Sequence, residues 1–420
     1  MKILPAILFS AALAVASEDD SFLIRNITVH TVSGGDIQNG SVLVRDGKIA
    51  GVGAKLAPPK GIKVIEGKSL HVYPGLIDSG TNVGLQEIGA VRETNDFTEM
   101  GDFNPQLRTE IAVNPASEHI PVIRANGITT VMTLPEGGMI GGQGALMHLD
   151  GWTWQEMAVM PSATMHLNFP VLGAVPPGQR SPRPTAFAEQ KRIYDGKLRE
   201  LHEFFEQTRR YQKAKSAATA DFQPDLKFEA MLPVLEGKLP LMVTAVRERA
   251  IRDAILFAAK ERIHIVLADV REPGNLLAEI KAKNIPVILG PTLALPLEED
   301  SPYDSQFTLP NDLYKAGVKF AFATFSTELT RNLPYQAANA VAFGLPYTEA
   351  LKAVTINAAE IWGVSDRIGS IDEGKWADLV ITDGDPLEAR TQIKQLFIKG
   401  KPVDLDNKQK RLYEKYLARP

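Results

Sequence analysis

The sequence predicts an α/β protein: a (β/α)8 barrel of the TIM type, joined to a composite β-sandwich domain built from both ends of the chain. Three observations predict it. Short apolar segments alternate with helical stretches from about residue 73 to 365, which argues for a parallel sheet and, at that length, a closed barrel. A period-2 pattern with turn signals fills residues 22–72 and returns at 376–381 and 393–397. Chain ends commonly lie together, so these two segments are expected to pair. A chain of 420 residues, 44% hydrophobic and 23% charged, buries an ample core and is neither disordered nor fibrous in composition.

The elements follow in order. Lys2, an apolar run over residues 3–15 and the small residues Ala14-Val15-Ala16 read as a signal peptide (1–16), followed by Ser17-Glu18-Asp19-Asp20. Cleavage near Ala16 implies a secreted or periplasmic protein. The run is too short for a membrane span, which needs about 20 apolar residues, and no later run is longer. Phe22-Leu23-Ile24, Ile27-Thr28-Val29 and Ser41-Val42-Leu43-Val44 are strand-like, and Arg45-Asp46-Gly47-Lys48 reads as a hairpin turn. In the barrel, strands are expected at 127–132, 241–244, 263–267, 286–289 and 318–322, with helices at 249–260, 276–283 and 335–343. Residues 188–218 read as an amphipathic insertion, with Leu198, Leu201, Phe204 and Phe205 at helical spacing. The glycine-rich stretch 137–144 reads as a tight loop. The expected domains are 17–72 with 366–403, then 73–365, and a tail over 404–420.

Composition excludes several functions. The formal charge of -4, from 46 Lys+Arg and 50 Asp+Glu, leaves no footprint for nucleic acid. The absence of Cys excludes thiolate zinc sites, iron–sulfur clusters, disulfides and a cysteine nucleophile.

Pro74-Gly75-Leu76-Ile77-Asp78 resembles the entry strand of the amidohydrolase superfamily. Asn126-Gly127-Ile128-Thr129-Thr130-Val131 is similar to the family's second strand, residues 350–359 to its last barrel helix, and Ile368-Gly369-Ser370-Ile371-Asp372-Glu373-Gly374-Lys375-Trp376-Ala377-Asp378-Leu379-Val380 to its closing stretch. The resemblance covers essentially the whole mature chain and is closest to the imidazolonepropionase-like branch. It implies hydrolysis of non-peptide amide or cyclic-amide C–N bonds, or of peptide bonds in dipeptidase-like members. It also implies Zn or another divalent metal that activates water.

The resemblance puts metal ligands on His-x-His after the entry Asp, on a His of each of two middle strands and on an Asp of the last strand. Those positions here carry Gly80, Asn82, Thr244, Asp269 (or Ala268, one residue off) and Phe325. The expectation is therefore no metal and no cofactor, with Asp269 as the catalytic candidate. Gly80, Asn82, Thr244, Arg247, Phe325 and Ser326 are the ligand-binding candidates. Asn82, Thr244, Arg247, Asp269 and Ser326 are expected to line one pocket, with Asp269 protonated or paired to a cation such as Arg247. Among the histidines, His148 and His166 have the best claim to the barrel, while His264 sits at a strand's start. The acidic segment 87–102 is a loop over the mouth, read as solvated, with a Ca²⁺ or cationic-ligand site as the alternative. Three readings remain open: a scaffold with no ligand, a hydrolase with a rebuilt site, or a non-catalytic relative. The last binds a small molecule or forms a homo- or hetero-oligomer with an amidohydrolase paralogue.

Overall fold

A computed structural model describes residues 21–172, 186–217 and 222–419. The expected signal peptide lies outside the described residues. Strands β1 (Phe22–His30), β2 (Asp36–Arg45), β3 (Lys48–Gly53), β4 (Lys63–Glu66) and β5 (His71–Pro74) come first. Next are β6 (Leu76–Thr81), β7 (Ile128–Thr133), β8 (Ile140–His148), β9 (Ala158–Asn168), β10 (Leu241–Thr244), β11 (Ile265–Val270), β12 (Val287–Leu289) and β13 (Phe320–Phe322). Strands β14 (Leu379–Thr382), β15 (Ile393–Ile398) and β16 (Lys401–Pro402) complete the order.

The first and last groups share one sheet, ordered β16-β15-β14-β5-β1-β2-β3, with β4 also on β1. The two chain segments meet where β5 and β14 run antiparallel, pairing Tyr73 with Val380 and His71 with Thr382. Both hairpin turns use paired positive φ, Asp46 (49°) with Gly47 (74°) and Lys399 (49°) with Gly400 (74°), the geometry that matches the strands' twist. Ile24, Val29, Val42, Val44, Val72, Leu379, Ile381 and Phe397 build this sheet's core.

The middle group forms a nearly closed eight-strand sheet in sequence order from β6 to β13. Alternation along each strand sends Ile77, Met132, Met242, Val266, Ile288 and Ala321 into one cluster inside the barrel. Their neighbours Leu76, Val131, Val243, Leu267, Leu289 and Phe322 face the helices in another. The sheet is not uniformly parallel as expected. Strand β8 runs antiparallel to both β7 and β9. A short glycine turn, with Gly137 at φ +90° and Gly138 at +59°, joins β7 to β8, and so short a connection can only reverse the chain. The stretch expected to be a loop is thus a turn followed by a strand, bulged at Gly142 (φ +133°) where Leu107 packs close.

Helix Phe187–Ser216 follows the expected pattern and buries Leu201, Phe204 and Phe205 against the barrel. The helix expected over 350–359 is instead two, Tyr347–Ala353 and Ile356–Ile361. The chain turns between them, where the Val354 carbonyl accepts a 2.8 Å hydrogen bond from the Ile77 N–H of β6. No described helix is long and apolar enough to cross a membrane.

Candidate functional site

The candidate residues stand at or just beyond the C-terminal ends of the barrel strands β6, β10, β11 and β13. Strand β6 ends the run Asp78, Ser79, Gly80 and Thr81, all buried, with Asn82 just beyond. Asp78 bridges the seam between the first and last barrel strands. Its carboxylate accepts from the Gly80 N–H (3.0 Å), the Thr324 N–H (3.2 Å) and the Thr324 hydroxyl (2.6 Å). Burial pushes its pKa up to about 7, against the pull of these donors. Thr81, Thr324 and Thr330 continue the network, and all three hydroxyls reach the Ser326 carbonyl.

Phe325 adopts positive φ (45°), and its N–H donates to the Gly80 carbonyl at 2.8 Å. This turn lays the ring over Gly80. Ser326 is a turn residue: its hydroxyl accepts from the Leu329 N–H, and its carbonyl is the one the threonines hold. Asn82 donates its amide N–H to the Leu134 carbonyl at 3.0 Å.

Thr244, at the end of β10, faces His166 near the end of β9 at 2.9 Å. The Pro135 carbonyl lies 2.7 Å from His166 Nδ1 and can only accept, so Nδ1 carries the proton. Burial lowers the His166 pKa, which favours the neutral ring. Its Nε2 lone pair therefore accepts from the Thr244 hydroxyl.

Asp269 also sits at positive φ (53°) and is paired with Arg271, at 2.8 Å from Nε and 3.3 Å from the second nitrogen. The expected partner Arg247 is a correction. It pairs with Glu298 at 2.7 Å and reaches Glu272 at 3.8 Å. The left-handed turn at Asp269 folds the chain so that the side chain two residues on meets its own carboxylate. Burial raises the Asp269 pKa and Arg271 opposes the shift.

Contacts thus join Gly80 to Phe325 and Thr244 to His166. Four of the cavities that described residues line lie elsewhere: about 700 Å³ along helix Phe187–Ser216, about 620 Å³ under the barrel beside His264, about 420 Å³ beside Arg249 and Asp253, and about 80 Å³ between Leu85, Thr109 and Pro135. Asn82, Thr244, Arg247, Asp269 and Ser326 line none of these. Among the described residues, no group of three His, Asp or Glu is arranged to hold a metal ion. His148 is not at the mouth. It is buried and paired with Asp378 at 2.8 Å, which ties the barrel to the β14 side of the other sheet. Sequence reasoning overlooked Arg271 and left Asp78 without a role, although the entry motif pointed to it.

Comparisons with known proteins agree with this architecture. The amidohydrolase family model matches residues 240–403. Amidohydrolase tasK of Hapsidospora irregularis is 23% identical over 400 residues, covering 86% of this chain and 39% of that protein. An imidazolonepropionase of Sphingopyxis alaskensis is 54% identical over 50 residues, 12% of each chain. The matches thus span well under half the length of either curated relative, 39% of tasK and 12% of the imidazolonepropionase. The crystal structure of an amidohydrolase from Thermotoga maritima superposes with a TM-score of 0.79 at 26% identity, covering 91% of this chain and 99% of that one. The motifs, the mixed α/β barrel and these matches together show that the chain belongs to the amidohydrolase superfamily.

Proposed function

We propose that this chain is a hydrolase-type amidohydrolase protein whose barrel mouth binds a neutral organic molecule and has lost the family's divalent metal centre. One observation supports the reading: each residue that the resemblance puts at a metal-ligand position is engaged otherwise or has no donor atom. Gly80 has no donor atom, and the apolar Phe325 ring covers it. Asn82 donates to a backbone carbonyl. Thr244 hydrogen-bonds His166, and Asp269 is held by Arg271. A zinc site needs imidazole or carboxylate donors with free lone pairs, so this set does not fit one. The His166–Thr244 pair carries no charge and the Phe325 ring is apolar, so a mouth formed by these residues suits an uncharged amide or cyclic amide better than an ion.

In the finer reading, the middle sheet is a (β/α)8 barrel over 73–365 and residues 17–72 with 366–403 are a β-sandwich domain. Secretion after cleavage near Ala16 remains part of the proposal, resting on Lys2 and the apolar run 3–15. A second reading, association with an active amidohydrolase paralogue, draws support from tasK, whose length leaves room for further units beyond the part matched here.

The test is turnover of a panel of N-acyl and cyclic amides, with added Zn²⁺ and after chelation. The proposal expects no chelator-sensitive turnover and a thermal shift with at least one cyclic amide. Chelator-sensitive hydrolysis that disappears in Asp269→Ala overturns it. A combined Gly80→His, Asn82→His, Thr244→His, Asp269→His and Phe325→Asp variant is expected to gain metal binding.

A further inference from the structure

Helix Lys408–Leu417 is amphipathic, yet its apolar face is not buried against its own protein. None of its residues is buried. Its large apolar side chains are open to solvent: Leu412 is 38% exposed, Tyr413 67%, Tyr416 49% and Leu417 69%. Leu412 with Tyr416 and Tyr413 with Leu417 are pairs four residues apart, so they form two adjacent rows and one continuous face. On the other side of the helix Arg411 pairs with Asp406 at 2.8 Å and lies 4.0 Å from Glu118, all three exposed. Asn407 caps the start by accepting from the Lys410 N–H, so the helix is defined at its entry.

Cations border the apolar face. Lys408, Lys415 and Arg419 flank the Leu412–Tyr416 row, with Arg419 4.4 Å from the Tyr416 ring. Lys410 borders the other row. From 408 to 419 the chain holds five Lys or Arg and one Glu, a charge of +4, so the remaining residues of this -4 protein carry -8. The basic segment is therefore a local exception on an acidic molecule.

We propose that this helix docks the protein onto an anionic lipid surface. Lipid acyl chains would take Leu412 and Leu417, and the two tyrosines would sit at headgroup level, where amphipathic rings are favoured. Anionic headgroups would meet the bordering cations. Two copies of the helix packed face to face would set +4 against +4, which disfavours self-association as the cover. The acidic remainder is repelled by the same surface, so contact is confined to this helix and orients the molecule.

The full chain should be tested by co-sedimentation with vesicles of phosphatidylcholine, with and without about 30% phosphatidylglycerol, at low salt. The expected result is binding to the anionic vesicles only, released by salt, and weakened about tenfold in both Leu412→Glu/Tyr416→Glu and Lys415→Glu/Arg419→Glu. These side chains are exposed, and unchanged circular dichroism establishes that the fold is intact. Absent or equal binding to the two vesicles overturns the proposal, as do variants that bind like the parent. A dimer in sedimentation analysis that Leu412→Glu/Tyr416→Glu dissociates also overturns it, in favour of a second copy.

Discussion

The ring of Phe325 stands in the space that Gly80 leaves free. A side-chain carbon on Gly80 would come within 2.8 Å of Phe325 Cε1 and 3.3 Å of the Ala323 Cβ. The absence of a side chain at position 80 and the bulk at position 325 are therefore one packing solution, spanning the seam between β6 and the turn after β13.

Gly80→Ala is accordingly expected to destabilise the fold by about 1–3 kcal/mol through overpacking. Phe325→Leu should recover part of that loss in the double variant. Urea unfolding of the two single variants and the double measures the coupling, and additive effects would show that ring and glycine are independent.

Asp78 makes stability depend on pH. Its folded pKa is about 7, above the ordinary 3.8, so the native state holds a proton that the unfolded state releases between those values. Stability contributed by the protonated form is complete below pH 4 and is lost as pH rises through 7, with an upper bound of about 4 kcal/mol. Urea midpoints measured from pH 4 to 8 should fall across that window, and Asp78→Asn should flatten the fall.

The pairing of Asp269 distinguishes two arginines. Arg271→Met strands a largely buried carboxylate and is expected to cost about 2–4 kcal/mol while raising the Asp269 pKa further. Arg247→Met removes a more exposed ion pair and should cost less than about 1 kcal/mol. Thermal unfolding of the two variants side by side gives the comparison, and equal losses would return Arg247 to Asp269.

His166 is expected to stay neutral with its proton on Nδ1, because burial lowers its pKa and Pro135 accepts from that nitrogen. Nitrogen chemical shifts of labelled histidine should show this tautomer persisting at pH values below the ordinary 6.5, where a free imidazole is already mostly protonated. Thr244→Val should remove the donor to Nε2 and shift that signal alone.

Much of this was legible in the sequence where local chemistry decides structure. Asp46-Gly47 marks a hairpin because few residues accept paired positive φ, and the Leu198–Phe205 spacing marks a helix face. Strand β8 was hidden because its glycines read as loop and the bulge at Gly142 breaks its alternation. The split near Val354 depends on a hydrogen bond from Ile77, nearly 280 residues away in sequence, which no local pattern encodes. At the site, residue types at the aligned positions were readable. Their partners were not, since Arg271 and Thr324 are chosen by backbone turns at Asp269 and Phe325 that only the folded chain defines.

The central claim is that this mouth holds no family-type metal, and equilibrium dialysis of the full chain against Zn²⁺ and Mn²⁺, followed by elemental analysis, tests it most directly. The account predicts no stoichiometric metal that depends on the mouth residues. Retention of about one metal ion per chain, lost in Asp269→Ala or His166→Ala, would contradict it.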